Sequence, residues 1–287
     1  MAMVEGRNLR WRIFISLTAL SLTTGLTLLP VAVVVLLSLH KGQPDITHLW
    51  PDEFSLEHWR TILTFSGRRP VLLWLWNSTK IGLITAVIVT PFTALSAYAL
   101  ARLKFRGRQS FTEAAFLLQG FPSMILLFAF YALLSRLAEY LPMLGKDSHG
   151  GLIFIYCGGI LSGVWLLRGY FQTIDPALEE AAVIDGASRF QIFRHILLPL
   201  CLPILGIQFI FTVIGTFGDF LLPRNLLDDD ALKTVAVGMP LFQRGPYSID
   251  WGPYAATAVL ASVPIVLLFQ LCQKGLISGL GSGANKG

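Results

Sequence analysis

Charge is what this sequence has least of. Of its 287 residues only 14% are Asp, Glu, Lys or Arg, against about 25% in an average soluble domain, which excludes an ordinary soluble enzyme. Cysteine is scarce too. Cys157, Cys201 and Cys272 lie in or beside apolar runs without metal-ligand spacing, so neither a disulfide framework nor a zinc site is indicated, and they read as small packing residues. No G-x-x-x-x-G-K-[ST] phosphate loop occurs, which excludes ATP hydrolysis by that route. The histidines form no H-E-x-x-H pair, and no nucleophile signature accompanies them, which argues against a membrane enzyme. The net charge of +5 is not gathered on a basic face of a soluble module, so no nucleic acid partner is expected.

What the chain has instead is apolar length. Hydrophobic residues make up 54% of it, and several uncharged runs reach the roughly 20 residues needed for a helix to cross a hydrocarbon core of ~30 Å. The reading is an all-α membrane protein with six transmembrane helices, at about 13–39, 74–100, 111–134, 151–167, 202–222 and 253–271. The first run is too long for a secretory h-region and no small-residue cleavage site follows it, so it is expected to remain as an anchor. Residues 1–12 form an N-terminal tail, 13–277 the six-span domain with a loop at 171–200, and 278–287 a C-terminal tail.

Orientation follows from the short stretch Arg102-Leu-Lys-Phe-Arg-Gly-Arg108, four basic residues in seven positions. The positive-inside rule places this loop in the cytoplasm. On that basis both termini and the 171–200 loop are cytoplasmic as well.

That loop carries local design. Asp175 is an N-cap, Pro176 suits the first helical position, and Glu179 and Glu180 complement the positive helix end, so a short helix runs to about Ile184. Gly186 stops it. Ser188 and Gln191 have capping-box spacing, so a second helix starts there, with Phe190, Phe193 and Leu197 on one side. Ala177, Ala181 and Ala182 form a small-residue face. Local physics leaves two readings open, a hairpin lying against the membrane and an element that docks a partner.

Glu180-Ala181-Ala182, three residues, Gly186, nine residues, Ile196, one residue and Leu198-Pro199 reproduce the E-A-A-x3-G-x9-I-x-L-P motif. By this motif the chain resembles the permease subunits of ABC importers, and the docking reading prevails. The resemblance runs along the whole chain to the carbohydrate branch, most closely to the smaller permease subunit of maltose and maltodextrin importers. It is carried by the Met-Ala-Met-Val start, Pro70-Val-Leu-Leu-Trp-Leu-Trp-Asn-Ser78, Glu139-Tyr-Leu-Pro142, His149-Gly-Gly151, Gly169-Tyr-Phe171 and the closing Lys286-Gly287.

The resemblance implies a type I importer permease fold in a bacterial inner membrane. It also implies three kinds of partner besides the lipid bilayer: a larger MalF-like permease that carries most sugar contacts, an ATPase subunit dimer that holds ATP and Mg, and a periplasmic sugar-binding protein. This chain itself needs no cofactor and no metal. ATPase coupling would fall to Glu179, Glu180, Ala181, Ala182, Asp185, Gly186, Ile196, Leu198 and Pro199. The tail at Lys286 and Gly287 would enter the ATPase dimer, and the loop Phe242-Gln243-Arg244-Gly245-Pro246-Tyr247 would reach into the binding protein. Asp219, near the outer end of the fifth span, would line the path or border the interface. The outer loop at 228–251, with Asp228-Asp229-Asp230, and Phe217-Gly-Asp-Phe-Leu-Leu-Pro223 depart from the maltose pattern, which leaves another oligosaccharide such as trehalose open. A secondary, ion-coupled transporter is the alternative class. It calls for internal repeats, and none is evident. Gly159-x-x-x-Gly163 reads as helix packing.

Overall fold

The structure is a computed structural model, and it describes residues 2–44, 50–64, 69–245 and 248–284. In chain order these form α1 (Ala2–Ser38), α2 (Glu57–Leu63), α3 (Val71–Arg102), α4 (Arg108–Gln119), α5 (Ser123–Tyr140), α6 (His149–Tyr156), α7 (Ile160–Thr173), α8 (Ala177–Ile184), α9 (Arg189–Ile192), α10 (Leu198–Leu200), α11 (Leu202–Gly218), α12 (Leu221–Leu226), α13 (Val235–Gly238) and α14 (Trp251–Ala284). A two-stranded antiparallel ribbon, β1 (Gln243–Gly245) and β2 (Ser248–Ile249), lies between α13 and α14.

Among the described residues four stretches are long and apolar enough to cross a membrane: Trp11–Ser38, Val71–Arg102, His149–Thr173 and Trp251–Gln273. Two bent pairs, α4 with α5 and the 189–200 segment with α11, bring the count to six when each pair is taken as one span. The expected third span is thus bent, by 103° between α4 and α5. Pro122 lacks an N–H and disfavours helical geometry at Phe121, so α4 ends at Gln119 and α5 restarts at Ser123. The fifth span also differs from expectation, stopping at Gly218 rather than 222. There Asp219 turns extended, and its Oδ1 accepts from the backbone N–H of Leu221 at 2.8 Å, capping α12. Pro30, Pro91 and Pro264 stay inside α1, α3 and α14.

Contacts divide the chain into two compact units, Met1–Val71 with Leu241–Ala261, and Leu72–Pro240 with Ser262–Gly287. In the first unit, apolar side chains along α1 such as Leu20 and Leu26 are exposed, as a lipid-facing helix requires. Below it, the Trp59 indole donates to Ser38 Oγ at 3.3 Å, and Arg69 lies 3.4 Å from the buried Asp250 carboxylate. Lys41 and Glu53 pair at 2.6 Å at the surface.

In the second unit α3 is the central helix. Its apolar face buries Trp74, Ile81, Ala86, Val89, Ala94 and Ala97, and its buried polar groups are placed where partners exist. Asn77 Nδ2 donates to the carbonyls of Ala231 and Lys233, and Ser78 Oγ accepts from Val235 N. The Asp228-Asp229-Asp230 run is pinned to the loop before α6. Asp147 Oδ1 accepts from the N–H groups of Asp228 and Asp229 at 2.8 and 3.0 Å, and Lys146 Nζ meets Asp228 Oδ2 at 2.6 Å. Hydrogen bonds to Asp228 and Tyr131 raise Lys146 above the usual lysine range.

Gly238 in α13 packs against Trp74, and a Cβ there would clash with atoms of the indole ring. Gly238→Ala is expected to destabilise the protein by about 1–3 kcal/mol, the usual cost of overpacking a filled core. Thermal unfolding of the detergent-purified protein checks this, with Gly215→Ala, at an open position, as the near-neutral control.

Candidate functional site

The 171–200 hairpin assembles as its local signals dictate. After α7 ends at Thr173, Ile174 is extended and Asp175 Oδ1 accepts from Ala177 N at 3.0 Å, opening α8. The helix closes in a Schellman arrangement. Gly186 N donates to Val183 O and Ala187 N to Ala182 O, both near 3.0 Å, with Gly186 at φ +83°. A side chain there would pay the left-handed penalty of about 1–2 kcal/mol. The capping box is present: Ser188 N donates to Gln191 Oε1 at 2.8 Å and Gln191 N to Ser188 Oγ at 3.4 Å. The helix then widens into a π turn at Phe193–Leu197, just ahead of Pro199, which has no N–H to continue the i→i−4 ladder. The segment meets α11 at a bend of 76°.

The hairpin is held to the bundle by an apolar seam and one ion pair. Ala182, Ile192, Phe193, Leu197 and Cys201 pack with Ala94, Ala97 and Tyr98 of α3 and with Leu167 and Phe171 of α7. The Tyr98 ring lies 5.0 Å from Phe193 and 6.1 Å from Phe171. At the end of α3, Arg102 Nη2 donates to Ile174 O at 2.6 Å, while its Nε sits 2.6 Å from Glu179 Oε1. That second approach is not aligned as a hydrogen bond, so its contribution is electrostatic. With side chains only 14% and 16% exposed, the pair is weakly screened.

The motif residues therefore face two ways. Glu180, Ala181, Asp185 and Gly186 are exposed, with Leu178, Val183 and Ile184 beside them, and Pro199 is exposed further along. Glu179 and Ala182 turn inward, and Ile196 and Leu198 pack on the core seam. Two expectations change here. The alanines do not share one face, because Ala182 is buried while Ala177 and Ala181 are exposed. Phe190 is 63% exposed rather than joining Phe193 and Leu197. A cavity of about 570 Å³ opens between α8, α9 and the end of α3, lined by Tyr98, Arg102, Glu179, Glu180 and Arg189 among others.

A second cavity, of about 560 Å³, lies along α11 against the α6 and α7 segment. Asp219 lines it and is half-buried, and Tyr156 Oη donates to Asp219 Oδ2 at 2.9 Å. Gly163, expected only to let helices approach, makes room for a side chain: a Cβ there would stand 2.6 to 2.8 Å from the Gln208 amide atoms. Sequence reading missed Tyr156 and Gln208. The signal for Gln208 was an amide inside an otherwise apolar span, whereas nothing local marks Tyr156.

In the first unit, Phe242 is buried under the Arg69 guanidinium, 4.9 Å from its ring centre. It sits at the base of its loop. Gln243 and Gly245 continue in β1. The side chain of Arg244, together with Pro246 and Tyr247, lies outside the described residues, as do Lys286 and Gly287.

Residues 89–280 match the family model described as "Binding-protein-dependent transport system inner membrane component". The chain is similar to the maltose/maltodextrin transport system permease protein MalG of Vibrio vulnificus (strain YJ016), 42% identical over 297 residues with all of both chains covered. The protein of the same name from Escherichia coli (strain K12) is 40% identical with the same coverage. Among solved structures the fold matches a chain of a bacterial ABC transporter involved in the import of the acidic polysaccharide alginate. That match has a TM-score of 0.70 at 21% identity and covers 92% of this chain and 96% of that one.

Arg102→Met leaves Glu179 without its cation and Ile174 O without its donor. The expected cost is about 1–3 kcal/mol, below the 3–5 of a fully buried pair because both groups retain some solvent. The check is faster protease cleavage within 171–200, with Arg102→Met/Glu179→Leu recovering part of the loss.

Proposed function

The chain belongs to the family of binding-protein-dependent transport system inner membrane components, and on that premise we propose that it is a permease subunit of an ATP-driven maltose/maltodextrin importer. The observation that carries this reading is identity of 40–42% to MalG proteins over the full length of both chains. The hairpin supports it. Its motif residues divide into an inward set that fixes α8 to α3 and an outward set, Glu180, Ala181, Asp185 and Gly186, free to meet another protein.

In this reading the chain is half of a translocation path in the inner membrane, with a larger MalF-like permease as the other half and both termini in the cytoplasm. It performs no catalysis. ATP and Mg are held by a separate ATPase dimer, whose cleft receives α8, with Glu180 pairing to a basic residue there. Closure of that dimer moves the hairpin, and the Arg102–Glu179 pair passes the motion to α3, turning the path from inward-facing to outward-facing. Asp219 lines that path, the 242–247 loop meets the sugar-loaded binding protein, and Lys286 and Gly287 enter the ATPase interface.

The test is to copurify the chain with its permease and ATPase partners and measure binding-protein-stimulated ATP hydrolysis with maltodextrins. Stimulation by maltodextrins is expected, and silence with every glucan would overturn the substrate assignment. Glu180→Lys and Gly186→Pro are each expected to abolish ATPase assembly and uptake, since one reverses the docking charge and the other breaks the Schellman closure. Intact assembly and uptake in both would overturn the coupling role.

A further inference from the structure

Within α11, Gln208, Thr212 and Thr216 recur at four-residue spacing and so share one face of the helix. All three line the cavity of about 560 Å³. The threonines are already satisfied: Thr212 Oγ1 donates to Gln208 O at 2.9 Å, and Thr216 Oγ1 to Thr212 O at 3.0 Å. Gln208 is not. One N–H of its amide donates to Thr212 Oγ1 at 3.2 Å, and among the described residues its carbonyl oxygen and second N–H have no hydrogen-bond partner. The residue is nonetheless buried, 7% exposed. Gly163 is the small residue that lets it lie there.

On the same cavity Asp219 is held rigidly. Its Oδ1 accepts from Leu221 N and its Oδ2 from Tyr156 Oη, which leaves further lone pairs for a ligand donor. Among the described residues no Lys, Arg or His lines the cavity. A single fixed carboxylate without a cation disfavours an anionic ligand, and one carboxylate is too few oxygens for a dedicated cation site. A donor and acceptor side by side on one amide, an acceptor on a carboxylate and the exposed face of Phe211 instead match a neutral ring with hydroxyls on its edge and C–H groups on its face. The volume falls within the roughly 300–1,000 Å³ of small-ligand sites.

We propose that this chain itself holds a subsite for a unit of a neutral oligosaccharide, with Gln208 and the Asp219–Tyr156 pair hydrogen-bonding sugar hydroxyls. The proposal rests on the importer reading above and departs from the resemblance, which assigns most sugar contacts to the partner permease. It also sets the chain apart from a path for acidic polysaccharide.

The experiment uses the complete importer in proteoliposomes, with its partner permease, ATPase dimer and binding protein, and follows maltotriose uptake and ATP hydrolysis in parallel. For Gln208→Ala, uptake per ATP hydrolysed is expected to fall about ten-fold, the equivalent of one lost hydrogen bond. Binding-protein-stimulated hydrolysis should stay within about two-fold, because the hairpin is untouched. Tyr156→Phe removes one hydroxyl without changing shape, is expected to lower the same ratio several-fold, and decides the matter if Gln208→Ala fails to assemble. Unchanged coupling in every variant that assembles, or parallel loss of hydrolysis and uptake, would overturn the subsite. An unmodified importer that takes up no neutral oligosaccharide would overturn the functional reading and, with it, the subsite. Normal uptake by the unmodified protein and by both variants would overturn the subsite alone.

Discussion

Hydrocarbon offers no hydrogen bonds, so each unpaired backbone N–H or C=O placed in it costs several kcal/mol, and a spanning chain is driven to helices that satisfy themselves. The architecture follows from this constraint. The long helices α1, α3 and α14 carry their apolar side chains with internal prolines tolerated, and at two of the breaks a local group takes up the loose ends. At Gly218 that group is the Asp219 carboxylate, which accepts from the first N–H groups of α12. At the head of α8 it is Asp175.

The same constraint explains how the scarce charge is used. The 171–200 hairpin carries both signs, and its two neighbouring glutamates have different tasks. Glu179 faces Arg102 across the end of α3, while Glu180, one position on, faces outward. Adjacent helical positions point about 100° apart, so one acidic step divides between anchoring and display. The aromatic rings of Tyr98, Phe171 and Phe193 pack together on the anchoring side.

The cavity along α11 shows the other way a polar group persists among apolar helices. Gln208, Thr212 and Thr216 are separated by one helical turn each, and the two threonine hydroxyls fold back on the helix backbone. Gly163 on the facing helix removes the side chain that would otherwise displace the amide. The site is thus the product of a residue present on one helix and a side chain absent from another.

Much was legible in the sequence because its causes are local. Span length and composition, the stop at Gly186, the Asp175 cap and the Ser188–Gln191 capping box depend on residues within a few positions of one another, and the E-A-A motif is contiguous. Other features were not legible. The break at Gly120-Phe121-Pro122 lies inside a stretch that is long and apolar enough on average to pass as one span, and Phe190 and Ala182 sit on faces set by how α8 and α9 pack on the bundle. Phe242 lies in a loop that reads as exposed, yet Arg69, far away in sequence, covers its ring. Local hydrogen bonding and hydrophobic length determined the helices and their caps. The tertiary structure alone decided the Arg102–Glu179, Tyr156–Asp219 and Gly163–Gln208 juxtapositions, because each joins residues from 45 to 77 positions apart whose meeting depends on how whole helices pack.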